Sequence, residues 1–198
     1  EVVRVTTGLG IAVVTRGGGA SYTDGYLATT PKSITIDTSR LNKIVEINEE
    51  DMLVTVEPGV TWAEMAAALA EKNLRTPFWG PFSGLKATVG GSTSQNSLSM
   101  GTSAYGGSPE SILCYDIVLP NGKILKTGSS SMENSSAFFR HYGPDLTGLF
   151  SGDAGALGVK ARITLRLIKL PTHTLTCSFG FKDYGSMSKG MAAAAREQ

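Results

Sequence analysis

Eighteen of the 24 glycines in this 198-residue chain fall into three clusters, at residues 8–25, 80–107 and 143–158. Glycine makes up about 12% of the chain against a usual ~7%. Glycine costs backbone entropy and in return allows close approach of the main chain to another group and positive φ. Spread evenly, such an excess would mean low complexity. Concentrated in three places, with segments of regular pattern between them, it suggests one ligand touched three times.

The rest of the composition mainly excludes. With 41% apolar and 18% charged residues the chain is not disordered. Eighteen basic against 17 acidic residues leave no excess field for gripping nucleic acid or an anionic membrane. Apolar stretches such as Met65 to Ala70 fall far short of the ~20 residues that cross a bilayer. Cys114 and Cys177 form no CxxC, and Cys and His are too few for a zinc cage. The chain therefore reads as reduced and metal-free, with a cytoplasmic setting as the default.

Glu1 to Leu9 reads as the tail of a helix whose start is missing, running into a strand at Gly10 to Val14. The β-branched runs Ile34–Asp37, Ile44–Ile47 and Leu53–Glu57 predict strands. Thr61-Trp62-Ala63-Glu64 has the spacing of a capping box, and Trp62, Met65, Ala66 and Leu69 continue it as a helix ending near Asn73. Ile112–Leu119 and Ile124–Thr127 predict a hairpin closed by a type I′ turn at Asn121-Gly122. Cys114, in its first strand, reads as a buried structural thiol. Lys160–Arg166 alternates as a half-buried strand up to Pro171. Residues 1–170 thus read as one α+β domain, and 171–198 as the opening strand and helix of a second, with more chain expected to follow.

In the first cluster a strand runs into Gly17-Gly18-Gly19, whose bare N–H groups can form a concave anion nest. It lacks the Gly-Lys-Ser/Thr of a Walker loop. It is not a dinucleotide GxGxxG either, since strand-like Ser33–Asp37 follows where that motif needs a helix. Taken alone, the turn is open between a plain tight loop and a nest. At its centre, a Cβ on Gly18 would clash with a pyrophosphate or force a strained positive φ. The second cluster, Pro81 to Asn96, reads as a long loop alternating hydrogen-bonding groups with glycines, as a surface wrapping a polar ligand would. The third, Gly152 to Val159, leads into the Lys160 strand.

Taken in order, Arg16-Gly17-Gly18-Gly19-x-Ser21, Val56-Glu57-Pro58-Gly59-Val60-Thr61-Trp62, Thr88-Val89-Gly90-Gly91, Tyr105-Gly106, Val118-Leu119-Pro120-Asn121-Gly122 and Gly155-x-x-Gly158-Val159 resemble the FAD-binding (PCMH-type) domain of the vanillyl-alcohol oxidase superfamily. The resemblance covers about residues 8–171. It is closest to the branch of D-lactate dehydrogenases, glycolate oxidase flavin subunits and alkyl-dihydroxyacetone-phosphate synthases. It implies an α+β domain of two α/β subdomains followed by the start of a cap domain. It also implies a pyrophosphate held by Gly17, Gly18, Gly19, Ala20 and Ser21, with Arg16 beside them. Thr88, Gly90, Gly91, Ser92 and Gln95 or Asn96 would lie along the ribityl chain and flavin ring, with Pro81 at the start of that loop. Gly155, Gly158 and Val159 would lie along the adenosine half.

Where some members tether the flavin through a His after the triple glycine, this chain has Ala20, and no Cys lies between Ser83 and Gly107. The FAD is therefore expected to be noncovalent. Many relatives carry a Glu near Ala154, whereas here the acid is Asp153, and the backbone roles in this segment carry more weight than any role for it. His141 and His173 lie in no motif that supports catalysis.

The function implied is an oxidoreductase whose flavin accepts a hydride from a small hydroxylated substrate, such as the 2-hydroxy acids D-lactate or glycolate. A noncatalytic electron-relay subunit, an alkyl-dihydroxyacetone-phosphate-synthase-like transferase and an empty nucleotide-fold remnant stay open. In the family the substrate acids and bases come chiefly from the cap, so the catalytic residues are unassigned and the chain alone is expected not to turn over substrate. The expected partners are that substrate, the remaining segments of the parent protein and an electron acceptor of unspecified kind, which could hold the protein at a membrane surface. A homodimer is also compatible with the reading.

Overall fold

The computed structural model describes residues 1–197. It begins with α1 (Val2–Gly8), β1 (Ala12–Arg16), β2 (Ser33–Asp37), β3 (Ile44–Asn48), β4 (Leu53–Val56), α2 (Trp62–Ala70) and β5 (Leu74–Arg75). Then come α3 (Val89–Ser94), α4 (Thr102–Tyr105), β6 (Ile112–Val118), β7 (Ile124–Lys126) and α5 (Leu146–Leu149). The chain ends with β8 (Val159–Arg166), β9 (Ile168–Lys169) and α6 (Tyr184–Arg196).

The strands form three sheets, as the α+β expectation requires. β1 and β2 pair in parallel, Ala12 opposite Ser33. A five-stranded antiparallel sheet has the order β3-β4-β8-β6-β7, which puts β8 at its centre although it comes late in the chain. The short β5–β9 pair ties Leu74 to Lys169. Alternation along β4 and β8 buries Val54, Val56, Ile163 and Leu165 on one core with Trp62, Met65 and Leu69 of α2, and Ile112 and Ile117 of β6 join them through shifts in its register between Ile112 and Cys114 and between Asp116 and Ile117. Trp62 meets Phe78 edge-on at 5.2 Å between ring centroids.

Helix α2 begins as its sequence predicts. The Thr61 hydroxyl accepts from the Glu64 amide at 3.2 Å, and the Glu64 carboxylate accepts from the Thr61 amide at 2.9 Å. Two more of its first amides go elsewhere: Trp62 N–H donates to the Ala87 carbonyl and Ala63 N–H to that of Gly84, both at 3.1 Å. The helix start thereby anchors the second glycine cluster to the core. The helix proper ends at Ala70, and a turn carries the chain to Asn73, whose φ is 57°.

Several expectations need correcting. The second cluster is not loop throughout, because Val89–Ser94 form α3, capped by the Thr88 hydroxyl accepting from Gly91 N–H. The hairpin turn is not type I′, which needs positive φ at both central residues. Among the described residues of this turn only Gly122 has it, at 79°, while Gly122 N–H donates to the Leu119 carbonyl at 2.8 Å. Pro120, locked at negative φ, selects a tight turn closed by a left-handed glycine. The first strand begins at Ala12, and residues 171–183 carry no strand, only irregular chain leading to α6. Cys114 is buried and Cys177 exposed. Among the described residues no helix is long and apolar enough to cross a membrane.

Candidate functional site

The three glycine clusters converge. A cavity of about 370 Å³ lies between the end of β1, helix α3 and the start of β8. Every residue expected from the resemblance to hold the cofactor lines it: Arg16, Gly17, Gly18, Gly19, Ala20 and Ser21 from the first cluster, and Pro81, Thr88, Gly90, Gly91, Ser92, Gln95 and Asn96 from the second. Gly155, Gly158 and Val159 complete the wall from the third. His141 and His173 are exposed and take no part in the lining.

Part of the reason for the glycines is that the clusters pack on one another. A Cβ on Gly17 would run into the Thr88 hydroxyl, and one on Gly90 would stand 2.6 Å from Pro58 Cβ. A Cβ on Gly155 would run into the hydroxyl of Thr15 on β1. The left-handed residue of the triple glycine is Gly19, at φ 64°, and not Gly18. Gly18 is fixed instead by the Lys86 carbonyl behind it.

What the first loop offers a ligand is main chain. Among the described residues, no acceptor within the chain takes the amides of Gly17, Gly18, Gly19, Ala20 or Ser21. A row of N–H groups beside a cavity, with no partner of its own, suits an anion that brings several acceptor oxygens. The Arg16 guanidinium adds positive charge there, held by Asp37 at 3.1 Å. Hydrogen bonds from the Ser39 hydroxyl and amide, aided by Arg16, keep the Asp37 carboxyl below its ordinary range.

The side chains of the second cluster are more committed than their types suggest. Ser92 Oγ accepts from Trp62 Nε1 at 2.7 Å, and Thr88 Oγ1 caps α3. Gln95 Oε1 accepts from the Thr23 hydroxyl at 2.9 Å, bridging to the Ala20–Tyr26 segment of the first loop. The cavity wall here is a scaffolded surface of backbone and hydroxyls.

Sequence reading missed Lys160, which lines the cavity, and undervalued Asp153. Lys160 Nζ and Asp153 Oδ1 form an ion pair at 2.7 Å with side chains 3% and 1% exposed. Burial pushes the Lys160 ammonium below its ordinary 10.5, while Asp153 pulls it back up. Alternation along β8 assigns Lys160 to the polar face with Arg162 and Thr164, so its burial had no signal in the sequence. Lys160 Nζ also lies 5.5 Å from the ring centre of Tyr115, whose phenol burial pushes up to about 12.

The chain belongs to the FAD binding domain family, whose model matches residues 1–128. It is 34% identical over 164 residues to a mitochondrial D-lactate dehydrogenase [cytochrome] of Arabidopsis thaliana, covering 82% of this chain and 27% of that protein. It is 30% identical over 161 residues to the glycolate oxidase subunit GlcD of Bacillus subtilis, covering 81% and 33%. Its fold is similar to that of a solved alkyldihydroxyacetonephosphate synthase, with a TM-score of 0.73 at 18% identity over 86% of this chain and 32% of the other. The chain thus spans about a third of the length of these relatives.

Proposed function

We propose that this chain is the cofactor-holding part of an oxidoreductase in which FAD accepts a hydride from a small 2-hydroxy acid such as D-lactate or glycolate. The observation that carries the cofactor assignment is the row of unpartnered amides at residues 17–21 beside a cavity where three glycine clusters meet. They would hold the diphosphate, with Arg16 supplying counter-charge. Residues 88–96 would flank the ribityl chain and ring, and Gly155 to Val159 the adenosine half. The FAD is held without a covalent bond, since Ala20 stands where a tethering side chain would be.

When bound, the flavin supplies the hydride acceptor. The hydroxy acid is oxidised to the 2-oxo acid, losing its α-hydrogen with both bonding electrons and its hydroxyl proton to a base. No residue of the lining is given that basic role; Lys160 is engaged with Asp153. The choice of substrate rests on similarity to the plant dehydrogenase and the bacterial oxidase subunit. Mixing the full-length flavoprotein, which this chain alone does not replace, anaerobically with D-lactate or glycolate is expected to bleach the flavin absorbance. A flavin that dithionite reduces but neither acid does would overturn the hydroxy-acid reading.

A further inference from the structure

We infer that Lys160 and Asp153 act as a positioning pair for the cofactor, their buried ion pair locking the Gly152–Gly158 turn so that the third wall of the cavity keeps its shape. This rests on reading the cavity as the FAD site. Asp153 Oδ1 accepts from Lys160 Nζ at 2.7 Å and from the Gly155 amide at 3.0 Å, so one carboxylate joins β8 to the turn that precedes it.

The same turn is tied to the other two walls. Gly152 N–H donates to the Thr93 carbonyl at 2.9 Å and Ala154 N–H to that of Ser94 at 2.8 Å, both on α3. Gly155 packs on Thr15 of β1 closely enough that a Cβ would strike its hydroxyl. Residues 152–158 contribute no side chain to the apolar core of the described residues. Charge and backbone hydrogen bonds do there what apolar packing does elsewhere.

A buried ion pair is a weak source of stability when compared with apolar residues of the same shape, because both charges lose their hydration. What it does provide is directional. Among the described residues Lys160 Nζ donates to Asp153 alone, and its ammonium lies over the ring of Tyr115. Tyr115 is itself fixed, its hydroxyl 3.1 Å from Ser151 Oγ, which donates to the Thr147 carbonyl at 2.8 Å. The pair therefore stands on a hydrogen-bonded base.

The test compares the wild type with Lys160→Met and the double variant Lys160→Met/Asp153→Asn, each stripped of flavin and titrated with FAD while its fluorescence is followed. Apo-protein unfolding is recorded alongside. Lys160→Met strands a buried carboxylate and is expected to bind FAD at least tenfold more weakly at a temperature where the apo form is folded. The double variant removes the stranded charge and keeps an acceptor for the Gly155 amide, so its melting temperature should recover, but it lacks the bond from β8 to the turn and should stay at least tenfold weaker for FAD. A wild type that takes up no FAD would overturn the cofactor reading and this inference with it. Wild-type FAD binding with unchanged affinity in Lys160→Met, whatever its melting temperature, would overturn the inference alone. So would a double variant that binds FAD within tenfold of wild type. Should Lys160→Met not fold, the folded double variant decides: a loss of tenfold or more supports the pair, and a smaller loss overturns it.

Discussion

Gly18 packs its α-carbon against the Lys86 carbonyl, so that a Cβ added there would be driven into the carbonyl oxygen and lie 2.7 Å from its carbon. The contact joins the first glycine loop to the second at main-chain level, where neither side can yield by rotating a side chain. Gly18→Ala is expected to lower stability by roughly 1–3 kcal/mol, the usual cost of overpacking, and FAD affinity at least tenfold. Gly8, at the end of α1, has open space where its Cβ would go. Gly8→Ala should therefore raise stability by about 0.5–1 kcal/mol. Thermal unfolding and FAD titration of both variants check this, and a neutral Gly18→Ala would remove the packing argument.

The contrast shows how far the sequence could be read. Its glycines marked where backbone approaches something closely, and all three clusters do border one cavity. They could not show that Gly17 and Gly18 approach the second cluster or that Gly90 approaches Pro58, because those partners are brought together only by the tertiary fold. Helix α3 was hidden for a related reason. Val-Gly-Gly-Ser-Thr-Ser has poor helix propensity, and the segment is helical because Thr88 caps it and because Val89 N–H and Gly90 N–H bond the carbonyls of Val60 and Pro58. By contrast α2 was legible, its cap and apolar spacing both being local. The Lys160–Asp153 pair depends on how the turn folds back on β8, which spacing does not encode.

The α2 cap is expected to weaken in acid. Hydrogen bonds from the Thr61 amide, then from its hydroxyl, hold the Glu64 carboxyl below its ordinary 4.5. A carboxylate depressed in the folded state contributes stability that is fully present above 4.5 and is lost as pH falls through the lower folded value. Wild type should therefore lose its stability advantage over Glu64→Gln only below that pH. Thr61→Ala, which removes the side-chain cap at every pH, should cost about 1 kcal/mol. Melting curves of the three proteins between acid and neutral pH check both statements. A Glu64→Gln difference that persisted in strong acid would show that the carboxylate charge is not what the cap uses.

Acid denaturation should also free the flavin completely. Ala20 offers no nucleophile, no Cys or His lines the cavity among the described residues, and the Lys160 ammonium is committed to Asp153. Precipitating the flavoprotein in acid is expected to leave all flavin absorbance in the supernatant. Colour retained by the washed pellet would demonstrate a covalent bond and send the search to the hydroxyls of the lining.

Exchange of the cofactor should be governed by the Thr23–Gln95 bridge. The Ala20–Tyr26 segment borders the cavity, with Tyr22 fully exposed, and one side-chain hydrogen bond, 2.9 Å from Thr23 Oγ1 to Gln95 Oε1, ties it to the end of α3. Gly25 lies against the same glutamine, a Cβ there falling 2.9 Å from Gln95 Nε2. The bridge is exposed, so it should add little to global stability, on the order of 1 kcal/mol or less. It should nonetheless set how often the segment lifts away from α3. Thr23→Val keeps the shape and removes the donor, and is expected to speed FAD dissociation several-fold with the melting temperature of the apo form unchanged. Stopped-flow displacement of bound FAD measures the rate, and an unaltered rate would mean that the segment does not gate the cavity.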